Sequence, residues 1–147
     1  MGNTKNIKDL EKDKFVIDPV TGKVSVCVTG IDDPLCRNYT AAETISAVKA
    51  VYVSGSEEVS RADKGTKPEA TVIGISKHAA NATEDIEVVT YGELQDSSFT
   101  YTAGESIYLD SSGNLTTTAP TVGFLTKIGT ALGNNKIFID IQEPIEL

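Results

Sequence analysis

The chain has 147 residues, enough for one medium domain or two small ones with a real hydrophobic core. Hydrophobic residues make up 39% and charged residues 23% of it, a composition that argues against disorder throughout. The formal net charge of -8 repels the phosphates of nucleic acids and anionic lipids, so we predict no direct binding to either.

The N-terminal stretch 1–14, MGNTKNIKDLEKDK, is polar throughout. We therefore predict no signal peptide, because a secretion signal needs an apolar run near its start. No stretch of the chain approaches the roughly 18 consecutive apolar residues of a membrane-spanning helix. The sequence thus predicts a protein that is neither secreted nor embedded in a membrane.

A β-hairpin is predicted next, from two short apolar strands at 15–17 and 24–28. Asp18-Pro19 favours the start of a turn between them, and Gly22 can close that turn in a left-handed conformation. Because an isolated two-stranded hairpin is marginal unless it packs on something, we predict that its apolar residues dock onto a partner. These residues are Phe15, Val16, Ile17, Val24, Val26 and Val28.

Residues 29–43 are rich in Gly, Asp, Pro and Asn and are predicted to form a connecting loop. The loop contains Cys36, nine residues after Cys27. We expect two reduced, part-buried thiols, with a disulfide in an oxidising compartment as the alternative. Two cysteines and the single His78 supply too few ligands for structural zinc, so no metal or other cofactor is predicted.

From residue 44 onward, short apolar strands alternate with turns. Residues 44–54 are predicted as strand, with a short helical start as the alternative. The strands predicted across this region are 50–54, 59–61, 71–76, 86–91, 106–110, 114–117, 126–130 and 136–141. Turn signals separate them at intervals of about eight to twelve residues, which is typical of an all-β sandwich or barrel.

The second half of the chain repeats the first. Five pairs of matched positions carry the repeat: Val51–Val53 with Ile107–Leu109, Val59 with Leu115, Gly74 with Gly129, Ile86 and Val88 with Ile137 and Ile139, and Glu93-Leu94 with Glu146-Leu147. We predict a docking segment at 1–43, followed by a duplicated domain at 44–147. Its two units, 44–94 and 99–147, form one pseudo-symmetric β-barrel or sandwich.

Three glycines of the duplicated domain are predicted to have structural roles. Gly74 and Gly129 recur inside equivalent strands, where a glycine marks a bend or a close approach of two backbones. Gly113 follows Asp110-Ser111-Ser112 and is predicted at positive φ in a hairpin turn. The same letters only faintly resemble a calcium loop, because the alternating acidic ligands and the final glutamate are missing.

No catalytic constellation is evident, so we predict that the protein is not an enzyme. A hydrolase would have to use His78, which follows a predicted strand and enters a loop, where a histidine is usually solvated. Glu57-Glu58 and Asp32-Asp33 are adjacent pairs whose carboxylates would diverge rather than converge across a cleft.

The stretch 101–132, YTAGESIYLDSSGNLTTTAPTVGFLTKIGTAL, and the KIFIDI that follows at 136–141 resemble a pattern in tailed-bacteriophage virion proteins. The similarity covers about 44–147, both copies of the repeat, and extends to capsid decoration (cement) proteins and to domains of head and tail fibres. It implies an acidic, non-enzymatic β-protein of the virion, assembled in the host cytoplasm. It also implies a homo-oligomer, a trimer by expectation, bound to the major capsid protein or to a head- or tail-fibre protein.

We consider three functions, of which the first two follow from the resemblance. The first is a capsid decoration protein that bridges capsid subunits, and the second is a fibre or adaptor component that holds a receptor-binding protein. The third is a carbohydrate-binding β-domain, for which the absence of tryptophan is unfavourable. Tyrosines would have to replace tryptophan in stacking on sugars, and the candidates are Tyr52, Tyr91, Tyr101 and Tyr108.

Overall fold

The computed structural model describes residues 35–147 in full and the backbone of residues 16–17 and 24–25. In the N-terminal part, β1 (Val16–Ile17) pairs antiparallel with β2 (Val24–Ser25). The predicted hairpin is confirmed for these two strands, and the turn between them lies outside the described residues.

The described chain beyond residue 34 consists mainly of short strands. They are β3 (Leu35–Ala41), β4 (Ala50–Gly55), β5 (Glu58–Arg61), β6 (Gly74–Ser76), β7 (Asp85–Gln95), β8 (Ser106–Leu109), β9 (Leu115–Thr116), β10 (Phe124–Leu125), β11 (Lys127–Gly133), β12 (Lys136–Ile139) and β13 (Ile145–Glu146). A four-residue helix, α1 (Lys67–Ala70), begins after Thr66, whose hydroxyl accepts a hydrogen bond from the amide of Glu69. Among the described residues, no helix is long and apolar enough to cross a membrane.

Five strands close into a β-barrel because β3 pairs along both of its edges. β3 runs parallel to β5, with Thr40 opposite Glu58, and antiparallel to β7, from Leu35 opposite Tyr91 to Thr40 opposite Asp85. The circle is completed by β4 between β5 and β6, and by β6 beside β7. The predicted all-β class is therefore confirmed, with a barrel as its central feature.

A second set of four strands continues from the far end of β7. Residues 92–95 of β7 pair with β12, and the order then runs β12, β11, β8 and β9. The two halves follow the same pairing scheme. In the first half β4 forms a hairpin with β5 and lies beside β6, which lies beside β7. In the second half β8 forms a hairpin with β9 and lies beside β11, which lies beside β12. The strand order is consequently a palindrome about the β7–β12 contact.

The register of the strands tests the sequence alignment of the two halves. Val51 lies opposite Gly74, and Ile107 lies opposite Gly129, as the alignment requires. In the last strand of each half the alignment is wrong by two residues. Gly129 lies opposite Ile139, and continuing the β6–β7 register places Gly74 opposite Thr90 rather than Val88. A sequence alignment does not reveal a shift of two positions, because side chains in a strand alternate between inward and outward with a period of two residues.

Two hydrophobic cores result, one shared and one enclosed. The shared core packs the outer wall of the barrel against the second set of strands. Its fourteen buried members are Ala50, Ala62, Ala70, Val72, Ile75, Val89, Leu94, Phe99, Ile107, Leu109, Ile128, Ala131, Ile137 and Ile139. The enclosed core contains Ala41, Ile45, Val51, Val59, Ala80, Ile86 and Val88. Since residues of both halves meet in the shared core, the halves stabilise each other.

Gly74 and Gly129 lie at close approaches between neighbouring strands. A β carbon on Gly129 would collide with the backbone carbonyl of Phe138, and one on Gly74 would lie 2.5 Å from that of Val89. The pairing of β11 with β8 also shifts register beside Gly129. Gly113 has φ 77° in the turn between β8 and β9, a conformation that glycine adopts without steric cost.

Two sequence predictions of secondary structure are wrong. Residues 35–41, predicted as part of a loop, form β3, which uses both edges for pairing in spite of its polar Arg37 and Asn38. Residues 44–49, predicted as strand, form a turn instead, held by the buried hydroxyl of Ser76. That hydroxyl donates to the carbonyl of Ser46 (2.7 Å) and accepts from the amide of Lys49 (2.9 Å).

The expectation of reduced cysteines is also wrong for the described one. Cys36 is disulfide-bonded and packs partly buried against the shared core. The sequence contains one other cysteine, Cys27, which lies outside the described residues. A disulfide is the alternative that the sequence leaves open, because the spacing of two cysteines does not distinguish a disulfide from two thiols.

Candidate partner-docking surface

The residues predicted to dock onto a partner lie in the N-terminal hairpin. For Val16, Ile17 and Val24 the structure gives the backbone pairing of β1 with β2, while Phe15, Val26 and Val28 lie outside the described residues. The docking role of the hairpin thus stays a prediction. Exposed apolar side chains elsewhere on the molecule point to further docking surfaces.

Large apolar side chains are exposed at seven positions of the described chain. They are Leu35, Val53, Tyr91, Val122, Leu132, Ile145 and Leu147. Single exposed apolar residues are normal on a protein surface, and groups of them mark sites of interaction. Two such groups are present here, each built around exposed residues on strands that the register places side by side.

The first group is a strip formed by Leu35, Tyr91 and Phe138, which we call the Tyr91 strip. Leu35 on β3 lies directly opposite Tyr91 on β7. The ring of Tyr91 meets the ring of Phe138 edge-to-face, with centroids 5.3 Å apart and an interplanar angle of 79°. This geometry is the favourable one for aromatic pairs and holds Tyr91 in place although 47% of it is exposed.

A groove of about 240 Å³ lies beside the strip. Thr90 and Tyr91 form one wall, the segment 140–144 after β12 forms another, and residues 71–73 complete the lining. Asp140 and Glu143 line this groove and take part in no ion pair with another residue of the described ranges. The groove is consequently acidic on one side and aromatic on the other.

The second group lies on the two-stranded ribbon formed by β10 and β13, which we call the C-terminal ribbon. Leu125 lies opposite Ile145, and the amide of Leu147 donates to the carbonyl of Gly123 at 2.9 Å. Ile145 and Leu147 are exposed by 58% and 52%, and Val122, next to Gly123, by 68%. The ribbon and the residues next to its strands thus present three apolar side chains to solvent.

Three ion pairs are present among the described residues, and two of them adjoin these groups: Glu93 lies opposite Phe138, and the carbonyl of Lys64 accepts from the amide of Phe124. Arg61 forms a bidentate pair with Glu43, Lys64 lies 2.9 Å from Asp110, and Lys136 lies 3.8 Å from Glu93. The hydrogen bond from the Arg61 side chain holds the pKa of Glu43 below its ordinary value, against the opposing effect of burial. The hydrogen bond from Lys64 lowers the pKa of Asp110 in the same way.

His78, the residue a hydrolase would need, is engaged by the backbone. Its Nδ1 donates to the carbonyl of Ala79 (2.9 Å), and its Nε2 accepts from the amide of Glu87 (3.2 Å). Both ring nitrogens therefore hold the loop between β6 and β7 in place. Within the described ranges, no group of three or more His, Cys, Asp or Glu side chains is arranged to hold a metal ion.

The tyrosines considered for sugar stacking differ in their exposure. Tyr52 and Tyr101 pack partly buried against the shared core, and the pKa of Tyr101 is raised by its burial. Tyr108 is also partly buried, on β8 between the neighbouring strands β9 and β11. Tyr91 is the exposed member of the four and lies beside the groove.

No protein-family model matches this chain, and no curated protein matches it either.

Sequence reasoning found Tyr91 as a candidate but missed the surface around it. Leu35 lies in a stretch that the sequence predicts as a loop, and the sequence predicts no strand at β13. The alternation of Ile145 and Leu147 around Glu146 is a two-residue signal, too short to distinguish a strand from an irregular tail. Only the tertiary pairing brings Leu35 beside Tyr91, and Ile145 beside Leu125.

Proposed function

We propose that this protein is a structural component of a tailed-bacteriophage virion, and specifically a capsid decoration protein that bridges and stabilises capsid subunits. The observation that carries the proposal is the Tyr91 strip with its acidic groove, a built and solvent-exposed surface suited to adhesion. The bacteriophage context comes from the resemblance of residues 44–147 to virion β-domains. The closed barrel and the acidic composition agree with such a role.

The proposed mechanism is burial of apolar surface between capsid subunits, with no chemical step. Each apolar residue covered by a partner contributes free energy in proportion to the area removed from water. A protein that binds the assembled capsid and not its free subunits stabilises the assembly by mass action. We further propose that it acts as a homotrimer, since a symmetric oligomer matches the local symmetry axes of a capsid lattice.

The decisive test is quantitative mass spectrometry of purified particles from the source. A decoration protein is expected at roughly one-third to one copy per major capsid subunit, as lattice symmetry requires. A ratio of a few per hundred would instead assign it to a fibre or adaptor that holds a receptor-binding protein. Absence from particles would overturn the virion proposal.

The docking surface can be tested by attachment to capsids that lack the protein. Leu35→Asp and Tyr91→Asp are expected to weaken attachment, and Leu132→Asp, which alters an exposed apolar residue outside both groups, serves as the matched control. Deletion of residues 1–30 tests the N-terminal hairpin separately. Undiminished attachment after that deletion would remove the hairpin from the docking surface.

Carbohydrate binding is a second candidate, and the exposed ring of Tyr91 favours it. Sugars stack on exposed aromatic rings, and the carboxylate of Asp140 and the amide of Gln142 in the same groove can bond hydroxyl groups. A glycan array with the native protein and Tyr91→Ala tests this function. Binding that Tyr91→Ala abolishes and Tyr108→Ala leaves intact would support it.

A further inference from the structure

We propose that β13 is an acceptor strand for an extended segment of a partner protein, in which a lysine or arginine lies opposite Glu146 between two apolar residues. The inference goes beyond the docking surface proposed above, because it assigns a second surface, on the C-terminal ribbon, and names the kind of partner. Its test uses the isolated protein and a peptide. Its failure is therefore distinguishable from a failure of the virion assignment.

The first observation is an open strand edge. β13 pairs with β10 on one side, and in the part of the chain that the structure describes no strand lies on the other. Leu147 donates its amide to Gly123 and so turns its backbone groups toward β10. Neighbouring residues in an antiparallel pair face opposite edges, so the N–H and C=O of Glu146 face outward. Such groups are a template for pairing with another chain.

The second observation is the distribution of side chains along this edge. Ile145 and Leu147 lie two residues apart and hence on the same face of the ribbon, and both are largely exposed. Glu146 lies on the opposite face. A strand added to the edge would place its own alternating side chains beside these, with apolar residues next to Ile145 and Leu147. The residue opposite Glu146 would face its carboxylate.

The third observation is the charge of the surrounding segment. Residues 140–147 contain Asp140, Glu143 and Glu146 and no basic residue. None of the three carboxylates takes part in an ion pair within the described residues. Pairing of β13 with the same strand of a second copy would bring like charges together, which is destabilising across strands. A basic partner is favoured for the same reason.

The probe is a five-residue peptide of threonine, valine, lysine, valine and threonine, blocked at both ends. It is titrated into the ¹⁵N-labelled full-length protein, and hydrogen exchange is read at single amides. We expect the Glu146 amide to become protected about tenfold at saturation, as an amide newly bonded within a ladder does. The Leu147 amide, already bonded to Gly123, should change little.

Two controls separate strand pairing from attraction between charges. The same peptide with an N-methyl group on its lysine keeps charge and side chains but lacks the bonding N–H, and it should give no protection. A peptide with glutamate in place of lysine should bind the native protein roughly fivefold more weakly, and Glu146→Lys should reverse that preference. These substitutions alter exposed side chains and leave both cores unchanged.

Protection of the Glu146 amide that the N-methyl peptide fails to produce would establish the acceptor strand. Chemical-shift changes spread over the acidic surface without such protection would overturn the proposal, as would equal effects of the two lysine peptides. An absence of any shift at saturating peptide would overturn it as well. In each of these cases the particle measurement of the proposed function remains decisive on its own.

Discussion

The hydroxyl of Thr126 donates a hydrogen bond to the carbonyl of Ala70 at 2.8 Å, in an environment where both residues are fully buried. Thr126 precedes β11 in the second half of the chain, and Ala70 ends α1 in the first. The bond therefore joins the two halves next to the shared core, where water cannot replace either partner.

Thr126→Val removes this bond with little change in shape. We expect it to lower the free energy of unfolding by about 1–3 kcal/mol, because the carbonyl of Ala70 is left buried without its partner. Urea denaturation followed by circular dichroism measures the change. Thr130→Val, on β11 but with a hydroxyl that makes no hydrogen bond in the described chain, is the control and should be nearly neutral.

Gly129→Ala is expected to be among the most damaging single substitutions. Its β carbon would collide with the backbone carbonyl of Phe138, which can yield only if β11 and β12 separate. We expect a loss of about 3 kcal/mol or more, or failure to fold. Gly65→Ala, at an exposed glycine whose added β carbon would lie 3.1 Å from Oδ1 of Asp63 and near no other group, should cost far less stability in the same assay.

Ser76→Ala should loosen the turn at 44–49. The buried hydroxyl of Ser76 bonds the carbonyl of Ser46 and the amide of Lys49, and the same turn holds Val48 at φ 61°, a costly value for a β-branched residue. We expect a loss of about 2 kcal/mol and faster hydrogen exchange at Lys49. An unchanged exchange rate at Lys49 would contradict the role assigned to this hydroxyl. Ser60→Ala, whose partner Ser54 is exposed, is the matched control.

Stability should fall in mild acid through Glu43. The hydrogen bond from Arg61 lowers the pKa of Glu43 in the folded protein below the ordinary value of 4.5 that applies after unfolding. The pair therefore contributes its full stability above pH 4.5, and the contribution is lost as the pH falls through the folded-state pKa. Because both side chains are partly exposed, the effect is small.

The measurement is urea denaturation at a series of pH values between neutrality and the onset of acid unfolding. Glu43→Gln should flatten the decline below pH 4.5 relative to the native protein. Glu57→Gln, which removes an exposed carboxylate outside the recorded ion pairs, should leave the decline as it is. Equal slopes for the native protein and Glu43→Gln would exclude the pair as a source of acid sensitivity.

The oxidised state of Cys36 predicts the thiol content of the purified protein. When the protein is purified in air and denatured without reductant, Cys36 should not react with a thiol reagent, and after reduction it should react. Mass spectrometry of the alkylated protein gives the same answer by a second route. A protein that reacts fully before reduction would have Cys36 as a thiol.

The sequence was sufficient for the all-β class and for most of the strands, since turn residues and alternating apolar positions are local signals. It was insufficient for β3, whose place between β5 and β7 depends on contacts with residues about twenty and fifty positions away along the chain. The Tyr91 strip shows the same limit for the candidate site. Tyr91 is a candidate from the sequence because it is one of the tyrosines that could stack on sugars. Its neighbours Leu35 and Phe138 join it in one surface only through the pairing of three strands.

The palindromic strand order has a consequence for synthesis on the ribosome. Residues 35–95 contain every strand of the closed barrel, so the barrel can form before the second half has left the exit tunnel. Ala50, Ile75 and Val89 on its outer wall then remain in water until β8, β11 and β12 arrive to cover them. During synthesis there is therefore an interval in which the folded barrel exposes an apolar outer wall. In that interval a chaperone or a second nascent chain competes with the protein's own C-terminal half for binding to this wall.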